Sequence, residues 1–260
     1  MYEEDNELTI KEKAIREYNA YKATQIGFVA PVADISIEKG DKRTEVTMDV
    51  EYNNTNFHFE AIKPEHAEVV YTYVNSQPLV RGKFAHGRTV DLPATTARVK
   101  QLSDRFDLKE SGEPVDPKLH LYGGFVVSDA ENNTFLGMCN IGGSSVVDHA
   151  EMAFLNRVEA WSRLPSSEIV REFELEDKPM PKQYRGTGTA ETCVLLQYLG
   201  KLKQDGYKIN GTEVTALDST ARLDNPGSWK SNAKAGMEVY DVDSNPSYGP
   251  ELRYQLRKTI

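Results

Sequence analysis

Apolar and polar residues along this chain follow two periods, the two-residue period of strands and the longer period of helices. Strand-like patterns are expected at residues 32–37, 45–50, 56–62, 119–127, 134–141, 149–155, 212–217, 237–242 and 252–258. Helical spacing is expected at residues 8–26, 64–74, 92–108, 187–205 and 226–234. From residue 56 onward this order predicts a mixed α/β domain.

A β-hairpin is the clearest local feature of the pattern. Residues 119–127 and 134–141 are strand-like, and the polar segment 128–133 between them has the composition of a turn. These two strands should therefore be antiparallel neighbours. The central strand that follows is either 149–155 or 168–175, and the pattern leaves both segments open.

An amino-terminal extension precedes the main domain. Residues 8–26 are charged and carry only a ragged apolar stripe, which predicts an appended helix. Two short strand-like pieces follow, separated by the polar turn at 38–42. We therefore expect an extension at residues 1–55 and the main domain at residues 56–260.

Composition and charge narrow the classes of function. The chain has 260 residues, of which 39% are hydrophobic, so it can bury a sizeable core. Its 31 Lys and Arg residues against 40 Asp and Glu residues give a net charge of −9. This acidity argues against direct binding of nucleic acid or of an anionic membrane, and it favours a cationic substrate or partner.

The cysteines and the apolar runs indicate where the protein works. Cys139 and Cys193 each lie in an apolar stretch, so neither suggests a disulfide framework. No apolar run approaches the roughly 20 residues needed to cross a bilayer. The amino terminus is acidic, whereas that of a signal peptide is basic. We expect a cytoplasmic protein without a membrane segment.

A glycine-rich segment directly before the strongest helical pattern carries the main chemical signal. It consists of Gln183, Tyr184, Arg185, Gly186, Thr187, Gly188 and Thr189. Free N–H groups at a helix start, together with the helix dipole and the Arg185 charge, suit a pyrophosphate. A Walker loop would need a lysine that this segment lacks, and a dinucleotide-binding fold would place its glycines in the first β–α unit.

Two motifs in the right order resemble those of the GCN5-related N-acetyltransferase (GNAT) family. Gln183-x-x-Gly186-x-Gly188 is similar to the pyrophosphate loop of that family, and Asn225-x-x-Ser228 followed by a Lys-x-Gly element resembles a later one. The resemblance implies a mostly antiparallel sheet flanked by helices, with acetyl-CoA as co-substrate. It also implies that Asn225 and Ser228 lie along the pantetheine arm, and the nearest subgroup in look is that of the protein amino-terminal acetyltransferases.

Catalysis by such a protein needs a group that accepts the proton of the attacking amine. Residues 150–155 resemble a strand of the amino-terminal acetyltransferases. This resemblance implies that Glu151 lies at the cleft that binds acetyl-CoA. Glu172 and Glu174, on one face of the other central-strand candidate, are the alternatives.

The acid that protonates the leaving thiolate is less clearly marked. Many members of the family carry a tyrosine seven positions after the motif asparagine, and Asn232 occupies that position here. Ser228, a water molecule, Tyr240 or Tyr248 would have to serve instead. The histidines show no metal-ligand spacing, and no metal site is expected; His149 is of interest because it adjoins Glu151.

The acceptor is expected to be a primary amine, on a protein amino terminus, a lysine, or a small polyamine or aminoglycoside. Carboxylates at residues 157–182, Glu159 among them, could attract such a cation. The alternative function is a CoA-binding regulatory or interaction module with little catalysis. The oligomeric state is not indicated by the sequence.

Overall fold

One β-sheet runs through the protein, whose computed structural model describes residues 9–84, 88–161, 184–245 and 249–260. Its strands are β1 (Asp34–Lys39), β2 (Thr44–Tyr52), β3 (Thr55–Ala61), β4 (Gly124–Asp129), β5 (Thr134–Gly143), β6 (His149–Asn156), β7 (Ala216–Arg222), β8 (Glu238–Asn245) and β9 (Gly249–Thr259). Within the described residues they pair in the order β1-β2-β3-β4-β5-β6-β7-β9-β8. Every neighbouring pair is antiparallel except β6 and β7, which are parallel. The predicted mixed α/β fold with a mostly antiparallel sheet is confirmed.

Helices cover both faces of this sheet. They are α1 (Ile10–Ala23), α2 (Ala67–Val70), α3 (Pro78–Phe84), α4 (Leu92–Ser103), α5 (Thr187–Gln204) and α6 (Pro226–Lys234). A 3-10 turn precedes α2 and a π turn follows it. Side chains alternate across a strand, and in β4 Phe125 joins the core cluster of α1, α5 and α6, whereas Val126 joins that of α2 and α4.

Local signals fix several of these elements where the sequence predicts them. The hairpin of β4 and β5, the helix α6 and the start of α5 all occur as expected. Asp91 caps α4 by accepting a hydrogen bond from the Ala94 N–H group at 2.8 Å. Gly206 and Gly236 follow α5 and α6 with φ angles of 80° and 83°, the left-handed conformation that commonly ends a helix.

Other predicted bounds are wrong. Strand β7 is Ala216–Arg222 rather than 212–217, so the apolar run that suggested a strand marks only its beginning. Helix α4 ends at Ser103, although Phe106 beyond it is fully buried. Residues 119–123 are not part of β4, since Leu121 adopts a φ of 70°, which breaks an extended chain.

Helix α1 is built into the core, whereas the sequence suggests an appendage. Tyr18 is fully buried, and its hydroxyl group donates to the Met237 carbonyl oxygen at 3.1 Å. Its ring lies 6.0 Å from the Trp229 ring and 5.3 Å from the Tyr254 ring. A weak apolar stripe is sufficient to dock α1 because Tyr18, a large aromatic side chain, is fully buried in these contacts.

The chain after α1 crosses α5 before it enters the sheet. The Gln197 side chain on α5 donates to the Pro31 carbonyl oxygen at 2.8 Å and accepts from the Ala33 N–H group at 3.0 Å. We call residues 24–33 the strap. Strand β2 then pairs with β3 through Tyr52 and Thr55, so the proposed division at residue 55 falls within one continuous sheet.

Candidate functional site

The parallel strands β6 and β7 separate after a short paired stretch. Only His149 with Ala216, Ala150 with Leu217, and Glu151 with Asp218 are paired. Beyond these pairs, β6 continues to Asn156 and β7 to Arg222 without a partner on the facing edge among the described residues. The N–H and C=O groups on the two inner edges can therefore bind an extended ligand as an added strand.

A cleft of about 840 Å³ occupies this gap. The inner edges of β6 and β7 form its sides, and α3, the α5 start and the α6 start also line it. Of the residues predicted from the sequence, those that line the cleft are Glu151, Arg185, Gly186, Thr187, Gly188, Thr189, Asn225 and Ser228. Gln183, Glu172 and Glu174 lie outside the described residues.

Gly186 makes the turn from which α5 begins. Its carbonyl oxygen accepts hydrogen bonds from the N–H groups of Thr189 and Ala190 at 2.8 and 2.9 Å. Its φ of 103° lies in the region that favours glycine. A Cβ atom here would lie 2.6 Å from Tyr52 Cε1 and 2.8 Å from Asn53 Nδ2. A side chain at this position would collide with the β2–β3 turn.

Gly188 allows a different close approach. A Cβ atom at this position would lie 3.1 Å from Ser231 Oγ and 3.2 Å from Phe154 Cε2. The glycine therefore lets α5 pack closely on α6 and β6. Within the described part of the chain, no backbone acceptor is present for the N–H groups of Thr187 and Gly188, as expected in the first turn of a helix.

Polar contacts hold the loop before α5 in place. The Asn53 side chain donates to the Arg185 carbonyl oxygen at 2.7 Å, and the Thr187 hydroxyl group donates to the Tyr184 carbonyl oxygen at 2.7 Å. Tyr184, predicted as a cofactor-binding residue, does not line the cleft. It is buried, and its hydroxyl group donates to Asp129 at 2.5 Å, so its ring anchors the loop to β4.

Asn225 and Ser228 stand at the start of α6. Asn225 occupies the N-cap position, but its side chain makes no capping hydrogen bond. The Ser228 N–H group donates to the Asn225 carbonyl oxygen at 3.1 Å. Both residues line the cleft.

Glu151 lies where β6 and β7 begin to separate. Burial and the neighbouring charge of Asp218 raise the pKa of its carboxyl group. Asp218 is its register partner on β7. We call the point where β6 and β7 stop pairing, at Glu151 and Asp218, the vertex of the cleft. A carboxylate with a raised pKa at this vertex is suited to accept a proton from a reacting group.

Asp218 is the centre of a polar cluster that the sequence did not reveal. It accepts hydrogen bonds from Arg257 Nε at 2.7 Å and from the Ser144 hydroxyl group at 3.1 Å, and it lies 2.8 Å from His149 Nδ1. The sequence pattern predicts that this strand ends at residue 217, one residue before Asp218 and five before its observed end at Arg222. A strand extended to Asp218 would have placed this carboxylate beside Glu151.

The candidates for a proton donor occupy different environments. Asn232 is fully buried against α5, where the Thr192 hydroxyl group donates to its Oδ1 at 3.4 Å. Tyr240 is half exposed, with the Arg257 guanidinium 4.4 Å from its ring centroid, and burial raises the pKa of its hydroxyl group. Tyr248 lies outside the described residues.

Only residues 157–161 of the acidic segment 157–182 are among the described residues. Glu159 is buried and pairs with Arg157 at 3.0 Å, so its expected role as a surface carboxylate that attracts a cation is wrong. Residues 162–182, with the other carboxylates of that segment, lie outside the described residues.

Among the described residues, no helix is long and apolar enough to span a membrane, and no cluster of His, Cys, Asp and Glu is arranged to hold a metal ion.

The fold is similar to solved acetyltransferase structures. An acetyltransferase of the GNAT family from Bacillus anthracis has 13% sequence identity and a TM-score of 0.50, over 78% of this chain and 94% of its own. RimL, a ribosomal L7/L12 alpha-N-protein acetyltransferase, has 10% identity and a TM-score of 0.50 over 82% of this chain and 95% of its own. The RimL complex with coenzyme A has 9% identity and a TM-score of 0.50 over 78% and 94%.

The sequence comparisons add nothing to this likeness. No family model matches the chain, and no curated protein matches it in sequence. At identities this low, structural similarity establishes the fold alone.

Proposed function

We propose that this protein is an N-acetyltransferase that moves an acetyl group from acetyl-CoA to a primary amine. The observation that carries the proposal is the separation of β6 and β7 beside the start of α5. Together these features supply a helix amino terminus and two strand edges that no described residue pairs with, all in one cleft. The strand edges suit the amide-bearing pantetheine arm of coenzyme A, and the helix amino terminus suits its pyrophosphate.

The residues of the cleft fit acetyl-CoA in their chemistry. The N–H groups of Thr187 and Gly188 at the α5 start have no backbone acceptor among the described residues, and the exposed Arg185 adds a positive charge. The Asn225 side chain makes no capping hydrogen bond at the start of α6, which lines the cleft, so it can bind an amide of the pantetheine arm. When bound, acetyl-CoA would supply an activated thioester acyl group.

Acyl transfer to an amine requires two proton movements. A C–N bond forms, a C–S bond breaks, the nitrogen loses a proton and the leaving sulfur gains one. Glu151 is the proposed acceptor of the first proton, directly or through a water molecule, because it lies at the vertex of the cleft with a raised pKa. Ser228, which lines the cleft at the α6 start, is the proposed donor of the second.

The acceptor is proposed as a cationic amine, on a protein amino terminus, a lysine, a polyamine or an aminoglycoside. The resemblance of residues 150–155 to a strand of amino-terminal acetyltransferases favours the first of these. RimL, one of the structures with a similar fold, is named for acetylating a protein amino terminus. A carboxylate pair, Glu151 and Asp218, at the vertex also favours a positively charged group.

The second candidate function is a CoA-binding module with little catalysis. The buried Asn232 favours it, because that position carries the tyrosine acid in many members of the resembled family. Binding of CoA without turnover of any amine would support this function.

Titration calorimetry with acetyl-CoA and a thiol-release assay with a library of amines test both functions. We expect micromolar binding and thiol release with at least one amine. Glu151→Gln should abolish most release while it leaves acetyl-CoA binding nearly unchanged. Glu213→Gln, an exposed carboxylate beside Lys203 and outside the cleft lining, is the matched control and should behave as the wild type. Failure of the wild type to bind acetyl-CoA would refute the proposal.

A further inference from the structure

Aromatic and cationic side chains gather beside the α5 start, away from the gap between β6 and β7. Tyr21 comes from α1, Tyr52 from the end of β2, and Lys230 and Lys234 from α6, and all four line the cleft. We call these four residues the outer cluster. Two of its members belong to the first 55 residues of the chain, which no motif assigns to the cofactor.

Direct contacts place the outer cluster against the loop that starts α5. A Cβ atom on Gly186 would lie 2.6 Å from the Tyr52 ring, so that ring already touches the loop backbone. Burial and the nearby Tyr52 hydroxyl group raise the pKa of Tyr21. The strap adds Phe28, whose ring centroid lies 6.4 Å from that of Tyr52. The amino-terminal residues therefore form one wall beside the loop.

The lysines of the cluster are held above aromatic rings. Lys230 Nζ lies 5.1 Å from the Tyr21 ring centroid and 5.2 Å from that of Trp229. Lys234 Nζ lies 5.8 Å from the Phe28 ring centroid. These contacts keep both ammonium groups on the side of the cleft where the strap and α1 meet α6.

Neither lysine of the cluster forms an ion pair with a carboxylate within the described ranges. Other described lysines do, as Lys83 with Asp224 at 3.6 Å and Lys201 with Asp205 at 3.1 Å. Lys230 and Lys234 lie four residues apart on α6, so they place two positive charges on successive turns of one helix. Their positive potential at the rim of a cleft favours an anionic ligand.

We propose that the outer cluster binds the adenosine 3′-phosphate end of coenzyme A, with Tyr21 and Tyr52 against the base and Lys230 and Lys234 on the 3′-phosphate. This inference rests on the proposed use of acetyl-CoA. In that molecule the pyrophosphate joins the pantetheine arm to the adenosine. With the arm between β6 and β7 and the pyrophosphate at the α5 start, the adenosine continues past Gly186, where the outer cluster lies.

The amino-terminal extension then has a defined role, since it provides half of the nucleotide subsite. A base is bound by stacking on an aromatic ring, and a phosphate by cations, so the two pairs of residues act on different parts of the ligand. Variants of each pair should therefore change the affinities for different CoA analogues.

The lysine pair is tested by titration calorimetry with CoA and with 3′-dephospho-CoA. The wild type should bind CoA about tenfold more tightly, and the double variant Lys230→Gln with Lys234→Gln should bind the two compounds equally, since each partly exposed ion pair contributes about threefold to fivefold. Lys201→Gln, which removes the same charge far along α5, should keep the wild-type preference. Higher salt should reduce the preference of the wild type.

The tyrosine pair is tested with the same compounds and with 4′-phosphopantetheine, which lacks the adenosine. Tyr21→Leu should weaken CoA and dephospho-CoA by the same factor, about fivefold or more, and leave 4′-phosphopantetheine unchanged. Tyr21→Phe keeps the ring and should restore both affinities. Thermal unfolding of each variant shows whether α1 is still docked.

The outcomes separate this inference from the function on which it rests. A wild type that binds CoA and dephospho-CoA equally, or a lysine double variant that keeps the preference, would overturn the subsite while the acetyltransferase proposal stands. Tyr21→Leu variants that remain folded and bind all three compounds as the wild type would overturn the base contact. A wild type that binds none of the compounds would overturn the proposed function and the subsite together.

Discussion

Replacement of Gly186 by alanine tests how the loop before α5 is held. The residue has a φ of 103°, and the new Cβ atom would lie 2.6 Å from a Tyr52 ring carbon and 2.8 Å from the Asn53 amide nitrogen. Both the backbone conformation and the contact are therefore unfavourable for any other residue.

The expected magnitude follows from these two costs. A left-handed conformation at a non-glycine residue costs about 1–3 kcal/mol, and displacement of a packed ring costs about 1–3 kcal/mol. Because the loop is partly exposed and can shift, we expect Gly186→Ala to lower the free energy of unfolding by about 2–3 kcal/mol. The same shift moves the N–H groups at the α5 start, so acetyl-CoA should bind about tenfold or more weakly.

Gly200 on the same helix provides the matched control. A Cβ atom there has no heavy atom within 4 Å, so Gly200→Ala gains helix propensity without a clash. It should raise the free energy of unfolding by up to about 1 kcal/mol and leave ligand binding unchanged.

Urea denaturation and calorimetry with acetyl-CoA measure both variants, and Tyr52→Leu in the Gly186→Ala background should recover part of the lost stability. The reasoning fails if Gly186→Ala unfolds and binds as the wild type does. It also fails if the Tyr52 change gives no recovery, because the clash would then not be with that ring.

Three further predictions concern carboxyl groups. Glu151→Gln should lower kcat by about 100-fold or more with little change in acetyl-CoA affinity, and an unchanged kcat would exclude Glu151 as the proton acceptor. Asp218→Asn removes the negative neighbour that helps raise the pKa of Glu151, so the acidic limb of the kcat/KM profile should move to lower pH; a fixed limb would contradict this coupling. Burial favours the protonated form of Glu191 and raises its pKa to about 8. The free energy of unfolding should therefore fall as the pH rises from about 4.3, the pKa in the unfolded chain, toward 8. The stability advantage of Glu191→Gln over the wild type should therefore grow between pH 5 and pH 8 in urea denaturation, and a constant difference would show that Glu191 is charged at neutral pH.

The elements that the sequence predicted well are those whose signals are local. Asn225 and Pro226 mark the start of α6 and Gly236 its end, and the polar residues 128–133 mark the β4–β5 turn. Five of the seven residues of the glycine-rich segment before α5 likewise line the cleft. These signals act through backbone conformation within a few residues, so they can be read before the fold is known.

The sequence was less informative about residues whose partners are distant along the chain. Helix α1 gave no sign that Tyr18 would pack on Trp229, and Gly186 gave no sign that Tyr52 would touch it. Gly186 was predicted as part of a pyrophosphate-binding segment, yet a Cβ atom there would meet the β2–β3 turn. A periodic pattern shows which face of an element is buried but not what buries it.

The sequence by itself therefore predicted the order of the nine described strands and of the helices other than α3, the start of α5, and Glu151 as a candidate. Only the tertiary structure decided that β6 and β7 stop pairing after Glu151 and Asp218, that these carboxylates lie side by side, and that the extension lines the cleft. Strand pairing joins residues separated by more than sixty positions, and its extent depends on the register and packing of both strands. The geometry of the cleft is set by those long-range contacts, which no local pattern records.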